Sequence, residues 1–202
     1  MKKLLGLMGA LLLSTPAFAG MDGGVNLTSD YLWRGVSQTQ GNAAVQWDLQ
    51  ADKKGFYAGT WGSQVDFGTD ASIEYDFYGG YAWSKGDVAI DVGIIQYNYN
   101  TELDSSEEWY AIGTYKFVSV GYYQDRDDTA KDYMEASIAV PFIDIADVSI
   151  RYGEFADESS YNQITVSKEL EKGFTVGLEI VSEESVEIDL KDRVALSLGY
   201  RF

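Results

Sequence analysis

The final ten residues constrain the fold more than any other stretch of the chain. Val194, Leu196, Leu198, Tyr200 and Phe202 alternate with Arg193, Ala195, Ser197, Gly199 and Arg201, so an extended backbone places every large apolar group on one face. A strand of this kind suits the closing edge of a barrel whose apolar side meets lipid. The end of a soluble sheet is more often polar and frayed.

The same alternation recurs upstream, in segments 25–33, 45–51, 56–65, 73–83, 88–99, 108–115, 118–124, 133–140, 148–152, 161–170 and 174–180. It is cleanest where Val45, Trp47, Leu49 and Ala51 oppose Gln46, Asp48 and Gln50. In 56–65 the parity is ambiguous, because both faces carry aromatics or Gly, and after Ile94-Ile95 it blurs enough to predict a bulge. Pro141 ends its segment because it has no N–H to donate to a ladder. With the closing segment these predict an all-β, antiparallel transmembrane barrel of twelve strands. Several segments are shorter than the roughly 9 to 11 residues of a tilted membrane strand, which leaves eight or ten strands open.

Residues 1–19 read as a secretory signal peptide, with Lys2-Lys3, an apolar run from Leu4 to Leu13, and Ala17-Phe18-Ala19 as a small-x-small cleavage site. That leaves 20–202 as one barrel domain, exported to the cell outer membrane. No later apolar run is long enough for a membrane-spanning helix. The chain has no Cys and no His, which excludes disulfides, Ser-His-Asp or Cys-His catalysis, and His or Cys zinc sites. Its net charge of −17 argues against nucleic acid as a partner and for attraction of cations. Neither a cofactor nor a metal site is expected. The acidic stretches 125–128 and 183–192 lack the ligand spacing of a calcium loop, and divalent-bridged contact with lipopolysaccharide is the better reading of them.

Leu27-Thr28-Ser29-Asp30-Tyr31-Leu32-Trp33-Arg34-Gly35-Val36-Ser37-Gln38-Thr39, followed by Gly55-Phe56-Tyr57-Ala58-Gly59-Thr60-Trp61, resembles the TorF family of proteobacterial exported porins. Residues 74–81 and 91–93 are similar to its next segments, whereas Asn100 stands where that family is expected to have Pro. The resemblance implies an outer-membrane barrel and supplies no catalytic or ligand residues. Tyr200-x-Phe202 resembles the terminal signal read by barrel-assembly machinery, with Ser197 in place of a common Gly.

Alternate connections differ in charge. Loops 34–42, 66–72, 100–107, 125–132, 156–160 and 183–192 together carry twelve more acidic than basic side chains, whereas the intervening turns balance to zero. With both termini periplasmic, the acidic loops fall on the extracellular side, the asymmetry outer-membrane barrels show. Aromatics near strand ends read as two interface girdles, Tyr31, Trp33, Tyr97, Tyr99, Trp109, Tyr122, Tyr133 and Tyr161 outside and Tyr57, Trp83, Tyr115, Phe174, Tyr200 and Phe202 inside. A soluble sandwich using these aromatics as its core is the competing reading.

If the apolar parity faces lipid, the lumen receives Asp30, Asp48, Glu74, Asp76, Asp91, Glu135 and Glu179 against Arg151, Arg193 and Arg201. This predicts a channel for small polar or cationic solutes, the alternatives being an interior plugged by ion pairs and a non-conducting surface barrel with an envelope-structural or interaction role. Pairing the first and last strands predicts an Arg193–Asp30 ion pair. Glu74 and Asp76, two residues apart on one face, repel each other unless a basic group or cation lies between them. Carboxylate pairs can do acid–base work, but a charged lumen generates them by chance, so an enzyme is not expected.

Overall fold

The computed structural model describes residues 20–101, 105–126, 131–156, 159–184 and 192–202. Twelve antiparallel strands close into one barrel: β1 (Gly20–Thr28), β4 (Ala44–Lys53), β5 (Phe56–Gln64), β6 (Ile73–Lys85), β7 (Val88–Tyr99), β8 (Ser106–Tyr115), β9 (Val118–Asp125), β10 (Tyr133–Ala139), β11 (Asp147–Phe155), β12 (Ser160–Glu169), β13 (Phe174–Glu184) and β14 (Arg193–Arg201). Each pairs with its neighbour in sequence. β1 and β14 then seal the wall from Gly24↔Arg201 to Thr28↔Ser197, so among the described residues the barrel has no unpaired edge strand. Gly23 and Phe202 extend the seam by exchanging two backbone hydrogen bonds. The segment 1–19, expected to be a signal peptide, lies outside the described residues, as do Asp127, Asp128 and most of the loop 183–192.

Side-chain parity sorts the wall into two faces. Val25, Leu27, Val45, Leu49, Phe77, Trp83, Ile90, Trp109, Val120, Leu196 and Leu198 are exposed on the outside, so the apolar stripe read from the sequence forms the outer surface. Between them, polar and aromatic residues turn inward and are buried. The register across β6 and β7 runs unbroken through Tyr78↔Ile95 and Gly79↔Ile94, and β7 against β8 is equally regular. The predicted bulge at Ile94-Ile95 is therefore absent. Ile95 turns inward against the buried tyrosines, and Gln96 and Asn98 take the outward positions, which is why the hydrophobic pattern blurs there. The ambiguous segment 56–65 resolves with Tyr57, Trp61 and Ser63 inside.

At one end the connections are short, except for residues 140–146 between β10 and β11. Lys54-Gly55 takes φ of 56° and 88°, a two-residue turn whose twist matches the strands it joins, and Lys116 turns at φ 57°. At the other end lie the longer connections. The first of these is not an outer loop. The chain leaves the wall at Thr28, bends at Ser29-Asp30, and forms a small hairpin of β2 (Leu32–Trp33) and β3 (Val36–Ser37) before β4 begins. The strand predicted to continue to Trp33 thus stops five residues earlier, and the polar stretch 34–42 is part of an inward fold.

Candidate solute site in the barrel interior

The hairpin is built from a local pattern. Leu32-Trp33 and Val36-Ser37 flank Arg34-Gly35, both at positive φ (47° and 88°), which is the backbone of a tight two-residue hairpin turn. Gly is required at position 35 twice over, because a Cβ there would also stand 2.9 Å from the Tyr161 ring. The base is fixed by Asp30, whose Oδ1 accepts from Ser37 Oγ at 2.6 Å and Thr39 Oγ1 at 2.8 Å. Thr28 Oγ1 donates to the Asp30 carbonyl at 2.7 Å, and the Gln38 N–H donates to the Tyr31 carbonyl at 2.8 Å.

The tip is anchored across the lumen. Arg34 donates through both terminal nitrogens to Glu108 on β8, at 2.7 and 2.6 Å. Their side chains are only 7% and 3% exposed, so this is a buried, bidentate pair in which neither charge is left to water. The guanidinium also lies 4.4 Å from the Trp33 ring, 4.7 Å from Tyr123 and 4.1 Å from Tyr133, a cage of aromatic faces around one cation. Tyr97 donates a further bond to Glu108 at 3.0 Å.

Around the tip, tyrosines lie on glycines of the neighbouring strand. Tyr57 pairs with Gly80, Tyr78 with Gly59, Tyr110 with Gly93 and Tyr161 with Gly153. A Cβ at any of these four glycines would approach the partner tyrosine to 2.5 Å or less, so the missing side chain makes the space the tyrosine fills. The hydroxyls then meet: Tyr57 donates to Asp91 at 2.5 Å and bonds Tyr110, while Tyr133 bonds Tyr161 at 2.6 Å and Glu135 at 3.0 Å. Below and beside the hairpin two cavities remain. One, of about 170 Å³, is walled by Trp33, Arg34, Trp61, Asp76, Tyr97 and Arg151 among others. The second, of about 80 Å³, runs along β1 and β14 from Asp30 to Arg201.

This arrangement revises the sequence reading at several points. Tyr31, Trp33, Tyr97, Tyr133 and Tyr161 were expected in the outer girdle and Tyr57 in the inner one, yet all of them pack inside the barrel, and all but Tyr161 lie on the larger cavity's wall. Tyr99 also turns in, against Phe67. Trp109, Tyr122, Trp83, Tyr115, Phe174, Tyr200 and Phe202 are exposed. The Arg193–Asp30 pair does not form. Asp30 lies past the end of β1, where the hydroxyls of Ser37 and Thr39 reach it first. Arg201 takes Asp48 instead, at 2.9 and 3.1 Å, with Asp22 at 3.3 Å, and Arg151 takes Glu135 at 3.4 Å.

Of the remaining candidates, Glu74, Asp76 and Asp91 are buried, with one carboxylate oxygen of each lacking a hydrogen-bond partner among the described residues. Glu179 lies on the wall of the smaller cavity, and Arg193 faces inward in line with Ala195. Arg34, Glu108 and Asp125 were not among the candidates, although all three are buried. Glu108 and Asp125 carry the inward parity of Tyr110 and Tyr123, so alternation alone marks them. The cue for Arg34 is the X-Gly turn between the short extended pairs Leu32-Trp33 and Val36-Ser37.

A closed antiparallel barrel with an apolar outer surface and a polar, charged interior is the architecture of outer-membrane channels. The chain belongs to the family described as "Bacterial protein of unknown function (Gcw_chp)", which matches residues 16–193. No curated protein matches it. Among solved structures it is similar to the KdgM porin, with a TM-score of 0.61 at 10% identity over 90% of this chain and 98% of that one. The KdgM porin in complex with disordered oligogalacturonate gives 0.60, at 10% identity over 90% and 97%. An outer membrane channel from Pseudomonas putida F1 gives 0.52, at 10% identity over 93% and 96%. At such identity the likeness is one of fold, and the fold is that of a porin-like outer-membrane channel.

Proposed function

We propose that the protein is an outer-membrane channel for small polar or cationic solutes, exported through cleavage of residues 1–19 and consisting of one barrel domain over 20–202. The observation that carries this reading is the unfilled interior. After the hairpin has entered and the arginines have paired, cavities of about 170 and 80 Å³ remain, and carboxylates line both. Asp30, Asp48, Asp76, Glu135 and Glu179 on those walls, with Glu74 and Asp91 beside them, would concentrate cations and repel anions along a solute path. Arg151, Arg193 and Arg201 are the basic counterpart. The oligogalacturonate of the KdgM complex is anionic, and the charge here supports a different preference. The TorF resemblance agrees with a porin, as does the acidic character of the connections assigned to the extracellular side. Lipid and lipopolysaccharide are the surroundings this reading implies, and Tyr200-x-Phe202 the segment offered to barrel-assembly machinery.

A second reading has its own support. The buried Arg34–Glu108 pair pins the hairpin across the lumen, as a plug in a non-conducting surface barrel would be pinned. Planar-bilayer recording separates the two. A channel of the proposed kind shows discrete conductance with a reversal potential favouring cations in a salt gradient. Anion selectivity overturns the charge assignment, and absence of conductance leaves the plugged barrel.

A further inference from the structure

Glu74 and Asp76 are an anomaly in this interior. Both are on β6, two residues apart on the inward face, and they are only 3% and 5% exposed. Glu74 Oε2 and Asp76 Oδ1 are buried and have no hydrogen-bond partner among the described residues. The arginines near them are committed elsewhere, Arg34 to Glu108 and Arg151 to Glu135. Two like charges held this close and this deep are costly unless something positive compensates them.

The surroundings define what that something is. In the sheet register Asp76 stands between Trp61 on β5 and Tyr97 on β7, and Glu74 between Ser63 and Tyr99. Tyr31, carried in by the hairpin, packs on Trp61 with ring centroids 5.1 Å apart. Asp76, Trp61, Tyr97 and Tyr31 share the wall of the 170 Å³ cavity, half of whose lining residues are aromatic. Carboxylate oxygens free to accept hydrogen bonds, surrounded by ring faces, match a cation that has N–H donors at one end and hydrocarbon at the other. A hydrated metal ion gains nothing from the rings, and among the described residues no cluster of three or more metal-ligating side chains exists.

We infer that Glu74 and Asp76, with the rings of Trp61, Tyr97 and Tyr31 around them, form a subsite for a primary alkylammonium ion. The ammonium group donates to Glu74 Oε2 and Asp76 Oδ1, and the alkyl chain lies along the aromatic wall of the cavity. This deepens the reading of the interior as a path for cationic solutes and names the chemical class that the path retains.

The test is equilibrium binding, which does not depend on conduction. n-Butylammonium chloride is titrated calorimetrically into the full barrel in detergent micelles, beside potassium chloride and the neutral alcohol 1-butanol at equal ionic strength. Saturable butylammonium binding, stronger than either control by about tenfold or more, is the expected result. In the Glu74→Gln/Asp76→Asn variant, checked for heat-modifiable migration, affinity falls by about tenfold or more. Equal binding of the alcohol removes the role of charge, equal binding of potassium removes that of the rings, and unchanged binding in the variant removes these carboxylates; each overturns the inference, as does no binding at all. Should the variant not fold, the three wild-type titrations decide alone. A barrel that conducts without binding butylammonium refutes the subsite and leaves the channel standing, while one that binds it without conducting does the reverse.

Discussion

Removing Arg34 probes the interior most directly. In Arg34→Ala the Glu108 carboxylate, 3% exposed, loses both of its guanidinium bonds and keeps only the Tyr97 hydroxyl. Stranding one member of a buried ion pair typically costs about 3 to 5 kcal/mol. The retained Tyr97 bond and water entering a lumen that the hairpin no longer narrows place this case near the lower figure. Three ring contacts at 4.1 to 4.7 Å are lost as well, adding about 0.5 to 1 kcal/mol each by the usual value for a cation over an aromatic face. Glu108→Gln leaves the opposite charge unpaired, so a double-mutant cycle on urea unfolding of the barrel in lipid vesicles isolates the pair, with an expected coupling of about 3 kcal/mol. The base of the hairpin, held by Asp30, stays in place, so the wall remains closed while the tip swings free, and single-channel conductance rises. A coupling below about 1 kcal/mol, the size found for solvent-exposed pairs, together with unchanged conductance, would refute the argument that this pair pins the hairpin.

The tyrosine-on-glycine packing predicts that Gly153→Ala, whose Cβ would meet Tyr161 at 2.4 Å and the Tyr133 hydroxyl at 2.5 Å, lowers unfolding stability by about 1 to 3 kcal/mol. Gly113→Ala has no atom within 4 Å of its Cβ and serves as the neutral comparison in the same urea titration. Asp30→Ala removes the acceptor for Ser37 and Thr39 without touching the barrel wall, so the hairpin loosens at its base: limited proteolysis cuts between residues 31 and 42 in the variant and not in the parent, while heat-modifiable migration is retained. Cation preference that arises from the acidic path is screened by salt, so reversal-potential selectivity falls between about 0.1 M and 1 M as the Debye length shrinks from roughly 10 to 3 Å. Selectivity independent of salt would mean that exposed charge does not set it.

The wall was legible because its physics is local. Residues two apart share a face, so the alternation in 45–51 or 193–202 states which side chains meet the apolar surroundings without knowledge of any partner strand. Charged candidates followed from the same parity, and Asp48, Glu74, Asp76 and Asp91 occupy the inward positions that it gives them. The aromatics near strand ends depart from the girdle expectation wherever their parity is inward. Tyr97 shares the face of Asp91, Tyr133 that of Glu135 and Tyr161 that of Gln163, so each had to point inward however near the strand end it lies.

Pairing inside the lumen was not legible, because it is decided by groups that approach through space. Asp30 binds Ser37 and Thr39 because the chain turns back at Ser29-Asp30, and Arg201 binds Asp48 because β1 brings β14 and β4 to either side of it. By itself the sequence determined an antiparallel wall with an apolar outside and an ionisable inside, since side-chain period and turn residues act within a few positions of one another; that it closes with twelve strands, not eight or ten, is set by the pairing of β1 with β14. Only the tertiary structure decided what enters that wall. Arg34 lies 74 residues from Glu108, and the energy that draws the hairpin inward exists only once the closed barrel has buried the carboxylate and stacked the rings that receive the guanidinium.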